Sequence, residues 1–175
     1  MPDTIVIATD GSTHATNAVG LGAQLAARFD ADVALVHVLL DHVSASVARG
    51  LVPFERLPES AREEIERLED AERKSRAFVD SPARPAWVSR ATMEAIGTLI
   101  LDDAEGLAKS RGAARVHRAI MSGDPASRIL DAARDNHAWL IVMGKRGLGR
   151  LAGLLIGSVS QKVTALADCT CISVP

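Results

Sequence analysis

The sequence predicts an α/β fold, in which a five-stranded parallel sheet is doubly wound and carries helices on both faces. Five short runs of mostly apolar residues alternate along the chain with segments whose apolar residues recur at helical spacing. Most of these runs are rich in β-branched residues and lack alternation between apolar and polar positions, which is typical of strands buried on both faces. Strands that alternate with helices are joined by right-handed crossovers, so the helices cover both faces of the sheet.

The first 40 residues predict a strand, a helix and a second strand. Residues 4–9 form an uninterrupted, β-branched apolar run, and Asp10, Gly11 and Ser12 follow as a turn. Apolar residues at helical spacing then predict a helix over 12–28, and a second buried strand covers 33–38. Together these elements predict a parallel βαβ unit.

The segment that follows has a weaker pattern. Residues 41–58 contain glycine and prolines and predict an irregular connection. Ser60 and Glu63 have the spacing of a capping box, which predicts the start of a heavily charged helix over 61–76. The sequence Ser-Pro-Ala-Arg-Pro ends that helix.

A second helix is predicted over 90–110, so that an extended helical connection occupies about 41–112 of a single domain that covers 1–175. Two interpretations of 41–90 stay open. The segment is a solvated excursion that lengthens one crossover, or it is a lid or a surface that binds a protein partner.

The last third of the chain predicts three strands and two helices. A more polar run over 115–121 suits an edge strand, and Pro125 is near the first position of the helix that follows. An apolar strand over 139–143 precedes a glycine-rich segment, a helix over about 158–167 and a last strand over 169–174. In such sheets ligands bind beyond the carboxyl ends of the strands, where the strand order reverses.

Composition excludes several classes of protein. A net charge of -2 and 3% aromatic residues argue against binding to nucleic acid, which needs basic surfaces or stacking platforms. No stretch approaches 18 consecutive apolar residues, and the first residues lack the pattern of a signal peptide, so we expect no membrane insertion. Cys169 and Cys171 are poorly placed to bridge each other, which favours a reduced, cytoplasmic protein.

The glycine-rich segment carries the strongest functional signal. Five of the 13 glycines in the chain are at positions 144, 147, 149, 153 and 157, and no acidic residue occurs from Gly144 to Ala167. The same stretch holds four basic residues: Lys145, Arg146, Arg150 and Lys162. Glycine lets backbone N–H groups approach an anion closely, and a helix N-terminus adds unpaired donors and a positive dipole end. The segment therefore predicts a phosphate site, although a flexible surface loop is an alternative.

Two side chains at this helix start, Ser158 and Ser160, offer hydroxyl groups, and Ser158 could cap the helix, contact a phosphate, or do both. The spacing fits neither the Walker A pattern nor G-x-G-x-x-G. Asp10 ends the first strand, so we expect its turn and the glycine segment to flank one crevice. Asp10 is then either a ligand-binding residue or a turn residue that caps the first helix.

The pattern Gly144-x-x-Gly147, nine residues, then Gly157-Ser158 resembles the ATP-binding signature of the universal stress protein family. Three further stretches are similar to the opening strand and turn of that family, to its third strand-to-helix junction and to its fourth strand. They are Ile5 to Ser12, Gly123-Asp124-Pro125-Ala126, and Leu140 to Gly144. The resemblance covers residues 1–40 and 113–175 well and the middle poorly.

The resemblance implies a Rossmann-like sheet of order 3-2-1-4-5, a homodimer, and ATP bound with Mg²⁺ at the ends of strands one and four. Carried over by position, the residues that hold ribose and phosphates are Gly144, Gly147, Gly157, Ser158 and Ser160, with a backbone N–H from Val159. Asp10 would meet the ribose or a phosphate-bound Mg²⁺. The residues that would line the adenine pocket are Ala8, Thr9, Val38 and Met143. The chain departs from the family at Trp139, which occupies the position of a small acidic residue and suggests packing beneath the sheet.

No arrangement of catalytic residues is evident near the glycine segment. His37 is expected to be a satisfied core histidine on a buried strand, and the sequence shows no general base beside the proposed phosphates. Nucleotide binding with a regulatory or stress-response output, through an unknown protein partner, is therefore the first interpretation. A slow ATPase or adenylyl-transferring enzyme, and a dimeric interaction protein that needs no nucleotide, stay as alternatives.

Overall fold

The computed structural model describes residues 3–76, 87–148 and 157–175. Strands and helices alternate there as the sequence predicts, with boundaries within a few residues of the expected ones. The strands are β1 (Thr4–Ala8), β2 (Asp32–Leu39), β3 (Val116–Ser122), β4 (Ala138–Gly144) and β5 (Thr170–Val174). The α-helices are α1 (Thr13–Phe29), α2 (Ala45–Arg49), α3 (Glu59–Arg76), α4 (Arg90–Ser110), α5 (Pro125–Asp135) and α6 (Ser158–Leu166).

The five strands form one parallel sheet of order β3-β2-β1-β4-β5, which confirms the predicted fold class and strand order. The chain runs outward from β1 through β2 to β3, and then returns to the other side of β1 as β4. This reversal between β1 and β4 opens a crevice at their carboxyl ends, where ligands bind in sheets of this kind.

The chain divides into two compact units, and the first, Met1–Leu39 with Ile100–Pro175, contains the sheet. Within it, β1 directs Ile5 and Ile7 toward one apolar cluster, which includes residues of α1 and of the second half of α4. Val6 and Ala8 belong to the cluster on the opposite face, with residues of α5 and α6. Ile5, Val6 and Ile7 are fully buried, which makes the strand end beside the crevice rigid.

The second unit, Leu40–Leu99, contains α2, α3 and the first half of α4. The Glu64 carboxylate of α3 accepts hydrogen bonds from the Ser89 N–H at 2.8 Å, the Ser89 hydroxyl at 2.7 Å and the Thr92 hydroxyl. Trp87 forms an antiparallel bridge with Ser44, and its ring meets that of His42 edge to face at 5.6 Å.

The structure corrects two details of the middle segment. The stretch predicted as irregular contains the short helix α2, which Ser44 caps by accepting from the Val47 N–H at 3.4 Å. Helix α3 begins at Glu59, so Ser60 lies inside the helix and is not its capping residue. The predicted end of that helix, at 81–85, lies outside the described residues.

Trp139 packs against the C-terminal end of α1. The pairing of β1 with β4 shifts register between Thr4 and Ile5, at the point where Trp139 lies on the opposite strand. A bulge of this kind redirects a side chain, and the Trp139 ring meets Phe29 of α1 edge to face at 5.6 Å. The indole remains 36% exposed.

None of the helices in the described parts of the chain is both long enough and apolar enough to cross a lipid bilayer.

Candidate nucleotide site

The turn after β1 and the segment after β4 contact each other through Asp10. Its Oδ1 accepts a hydrogen bond from the Ser12 N–H at 3.0 Å, and its Oδ2 accepts one from the Leu148 N–H at 2.9 Å. The two loops that the sequence places at one crevice are therefore joined by a carboxylate. Ser12, rather than Asp10, caps α1, because its Oγ accepts from the Ala15 N–H.

Gly144 ends β4 against the first turn of α1. A Cβ atom added there would lie 2.9 Å from the Ala15 nitrogen, 2.9 Å from the His14 carbonyl carbon and 3.0 Å from the Arg146 carbonyl oxygen. All three are backbone atoms, which cannot move aside cheaply. Gly144 thus permits the close approach of α1 that sets the wall of the crevice.

The start of α6 is held by hydrogen bonds to the segment after β4. The Gly157 N–H donates to the Lys145 carbonyl at 2.9 Å, and the Ser160 hydroxyl lies 3.0 Å from that carbonyl and 2.9 Å from the Gly157 carbonyl. Because Ser160 is buried and its hydroxyl proton is used in this way, its side chain fixes the helix start.

The N-cap residue of α6 is Gly157, and no side chain of the described residues caps the helix. The prediction that Ser158 caps it is therefore wrong, because Ser158 is the first helical residue, one position further on, and is exposed. The N–H groups of the first turn have no intrahelical acceptor, and the positive end of the helix dipole lies beside them. This end of α6 can accept an anion.

Several other backbone donors of the segment are already used within the protein. The Lys145 N–H donates to the Val174 carbonyl at 2.6 Å, and the Leu148 N–H is held by Asp10. The first turn of α6, in contrast, keeps backbone donors for which the described residues supply no acceptor.

The basic residues of the stretch divide between two places. Lys145 and Arg146 directly follow β4, whereas Lys162 pairs with Asp124 at 2.8 Å. This Lys162 ammonium, with hydrogen bonds from Ser127, holds the pKa of the Asp124 carboxyl far below its usual value. Gly149, Arg150 and Gly153 lie outside the described residues.

Three of the four predicted adenine-lining residues lie together. Ala8 and Met143 are paired in register on β1 and β4, and both belong to the apolar cluster on the α5 and α6 side, against which Val38 packs. Thr9 is buried just beyond β1, where its N–H donates to the Val36 carbonyl at 2.9 Å.

His37 is only half satisfied, contrary to the expectation from its strand. It is 3% exposed, and its Nδ1 lies 2.9 Å from the Thr9 carbonyl, to which it donates in the neutral ring. Its buried Nε2 has no hydrogen-bond partner among the described residues. Burial lowers the pKa of His37, although the bond to Thr9 and the negative charge of Asp10 oppose this shift. The neutral His37 ring therefore holds the backbone of Thr9, the residue that precedes Asp10.

The role of Leu148 was not predicted, because it contributes a backbone N–H and its side chain carries no signal. The bond from His37 to Thr9 was missed for a similar reason. The sequence shows His37 as a polar residue in an otherwise apolar strand, but it does not show that the Thr9 carbonyl lies beside the ring.

Comparison with known proteins is consistent with this geometry. The profile of the universal stress protein family matches residues 1–175. The Thermus aquaticus protein named "Universal stress protein in QAH/OAS sulfhydrylase 3'region" is 30% identical over 167 residues, which are 95% of this chain and 93% of that protein.

Two solved structures share the fold. A universal stress protein in complex with cAMP has a TM-score of 0.59 at 21% identity, with 99% of this chain and 96% of that chain covered. The universal stress protein from Archaeoglobus fulgidus in complex with dAMP has a TM-score of 0.61 at 17% identity, with 100% and 98% covered. The matched profile and the Thermus aquaticus relative establish that this chain belongs to the universal stress protein family.

Proposed function

We propose that this protein binds an adenine nucleotide, ATP with Mg²⁺, in the crevice between β1 and β4, and that occupancy controls a regulatory interaction with a protein partner. The observation that carries the proposal is the uncapped start of α6, at the end of a segment that contains no acidic residue. A helix N-terminus whose first N–H groups have no acceptor among the described residues favours phosphate. The nucleotide complexes of the two related structures support the same class of ligand.

The proposed contacts follow the geometry of the crevice. Phosphates would lie at the first turn of α6, near Ser158 and the Val159 N–H, with Gly144, Gly147, Gly157 and Ser160 shaping the segment that leads there. Ala8, Thr9, Val38 and Met143 would line the adenine end. Mg²⁺ commonly takes one protein carboxylate together with phosphate oxygens and water. Asp10 fits this role, because each of its oxygens accepts one hydrogen bond and keeps a second lone pair. The ion would neutralise phosphate charge.

The main test places a negative charge where the phosphates would lie. Ser158→Asp puts a carboxylate at the first position of α6, where the helix dipole favours it, so we expect the fold to be kept. The same charge repels phosphate, and we expect the affinity for Mg-ATP, measured by titration calorimetry, to fall at least about tenfold. Gln161→Glu is the matched control, since it adds the same charge at an exposed position one turn further along the helix.

Unchanged affinity in Ser158→Asp would exclude this placement of the phosphates. The wild-type protein provides a prior test, because a ligand at 100 times its dissociation constant adds about 2.7 kcal/mol of stability. For a chain of this size that corresponds to a rise in Tm of about 5–10 °C. The absence of any rise with Mg-ATP, or with AMP, would exclude nucleotide binding and favour an interaction protein that works without nucleotide.

We propose that the protein binds ATP without hydrolysing it rapidly. A carboxylate that accepts two backbone hydrogen bonds and ligates Mg²⁺ is a weak base, so Asp10 is poorly suited to activating water. We expect ATP to be recovered unaltered after prolonged incubation. Product in excess of one equivalent per site, lost in Asp10→Ala, would instead identify a slow ATPase or an adenylyl-transferring enzyme.

The homodimer is also part of this proposal. Strand β5 is an edge of the sheet, and four of its five residues are only partly buried in the single chain. An unpaired edge strand is a ready site for association. Sedimentation equilibrium, with and without Mg-ATP, should give twice the mass of the chain, and a monomer under both conditions would contradict it.

A further inference from the structure

We infer that Gly147 is a glycine because the Asp10 carboxylate occupies the space of its side chain, and that Asp10 is a positioning residue for the phosphate segment. In the part that concerns ligand affinity, this inference rests on the proposed function. In this view, the second glycine of the family signature is required by a contact within the protein, with Asp10, rather than by the close approach of a phosphate.

Steric contact is the first step of the argument. A Cβ atom added at Gly147 would lie well inside 3.0 Å of Asp10 Oδ2, a separation that real Cβ atoms do not show. The glycines with positive φ in the described chain are Gly11, Gly112 and Gly123, so the backbone conformation of Gly147 does not itself require glycine. The carboxylate of Asp10 is the group that a side chain at this position would displace.

The second step concerns what that displacement would cost. Asp10 Oδ2 accepts from the Leu148 N–H at 2.9 Å, and Oδ1 accepts from the Ser12 N–H at 3.0 Å. One carboxylate thus fixes the start of the glycine segment to the turn that opens α1. A side chain at Gly147 would push Oδ2 away from the Leu148 N–H and release the segment from that turn.

The third step separates positioning from ligand contact. The carboxylate already occupies the Leu148 N–H, so that donor is not available to a phosphate, whereas the first turn of α6 has donors with no acceptor among the described residues. Holding the segment in place is therefore a contribution of Asp10 to phosphate binding that is separate from the proposed ligation of Mg²⁺. Gly147→Ala and Asp10→Ala should then break the same bond, and their effects should not add.

A double-mutant cycle tests this. We would compare Asp10→Ala, Gly147→Ala and the double variant with the wild-type protein, by hydrogen exchange at the Leu148 amide, by Tm and by Mg-ATP affinity. We expect Leu148 protection to be lost in all three variants. We expect the double variant to have the Tm of Asp10→Ala, because the methyl group added by Gly147→Ala meets no carboxylate once Asp10 is replaced. Hydrogen bonds to charged groups contribute enough for Gly147→Ala to lose about tenfold in Mg-ATP affinity. Asp10→Ala and the double variant both lack the carboxylate and should share one loss, at least as large.

Three results would overturn the inference. They are losses in Tm that add in the double variant, a Leu148 amide that stays protected in Gly147→Ala, and Mg-ATP affinity in the double variant far below that of Asp10→Ala. The third result would mean that phosphate itself approaches Gly147. Asp10→Asn is the conservative control, because its amide oxygen can keep one of the two bonds and should protect Leu148 in part. If the wild-type protein bound no nucleotide, the proposed function would fail, but exchange and Tm in the free protein would still decide this inference.

Discussion

Replacement by alanine should affect stability much more at Gly144 than at Gly157, the two outer glycines of the signature. At Gly144 an added Cβ meets three backbone atoms at 2.9–3.0 Å. At Gly157 the nearest atoms among the described residues are the Arg146 Cα and the Lys145 carbonyl oxygen, both at 3.5 Å, which is ordinary van der Waals contact. The backbone of Gly157, at φ -72° and ψ 151°, is one that alanine adopts without strain. We therefore expect Gly144→Ala to destabilise the fold and Gly157→Ala to leave it nearly unchanged.

The magnitudes follow from these contacts. Overpacking against groups that cannot move costs about 1–3 kcal/mol, so Gly144→Ala should lower Tm by about 2–12 °C in a chain of this size. At Gly157, alanine is a poorer N-cap residue, but it reduces the freedom of the unfolded chain. These opposing effects should leave the free energy of unfolding within about 1 kcal/mol of wild type.

Thermal unfolding and urea unfolding, each followed by circular dichroism, provide the measurement. An unchanged Tm in Gly144→Ala would refute the argument from backbone contact, as would a larger loss in Gly157→Ala than in Gly144→Ala. The comparison also has a practical consequence. Loss of nucleotide binding in a Gly144 variant would not separate binding from folding, whereas a Gly157 variant keeps the fold and can do so.

Two other perturbations can be predicted from the structure. In α1, Gly22→Ala should lower Tm, because its Cβ would lie 2.5 Å from the buried Ile7 Cδ1. A Cβ added at Gly20 meets no atom of the described residues within 4 Å, so Gly20→Ala should raise Tm through helix propensity. Equal effects of the two changes in differential scanning fluorimetry would contradict this. The pKa of Asp124 is lowered in the folded state, so its contribution is complete above its unfolded value of about 3.9 and is lost as the pH falls below that value. Lys162→Met should therefore reduce Tm at pH 7 and much less at pH 2, and an equal reduction at both pH values would exclude the ion pair as the cause.

The fold could be predicted from the sequence because strands that are buried on both faces consist of uninterrupted apolar residues. Residues 4–9 and 139–143 are uninterrupted apolar runs, and no other environment suits them in a chain with this pattern of helices. The middle segment was less well predicted. Helix α2 has only five residues and too few apolar positions to show a helical period. Helix α3 begins at Glu59, two residues before the predicted start at Ala61.

The candidate site was predicted in part. The sequence places Asp10 and the glycine segment at neighbouring strand ends, and this follows from topology alone. It does not reveal which charges are already used, since Lys162 pairs with Asp124 from another helix. Nor does it show that Gly157, rather than Ser158, caps α6, because helix boundaries depend on one or two backbone hydrogen bonds. The ATP preference, the dimer and the cytoplasmic location stay predictions.

The two edge-to-face aromatic contacts provide separate optical reporters. The chain has two tryptophans, and each lies in a different compact unit, Trp139 against Phe29 and Trp87 against His42. Single-tryptophan proteins made by Trp→Phe exchange would each emit from one unit only. Such proteins would reveal whether the two halves of the chain melt as one cooperative body or one after the other, and which of them senses an added nucleotide.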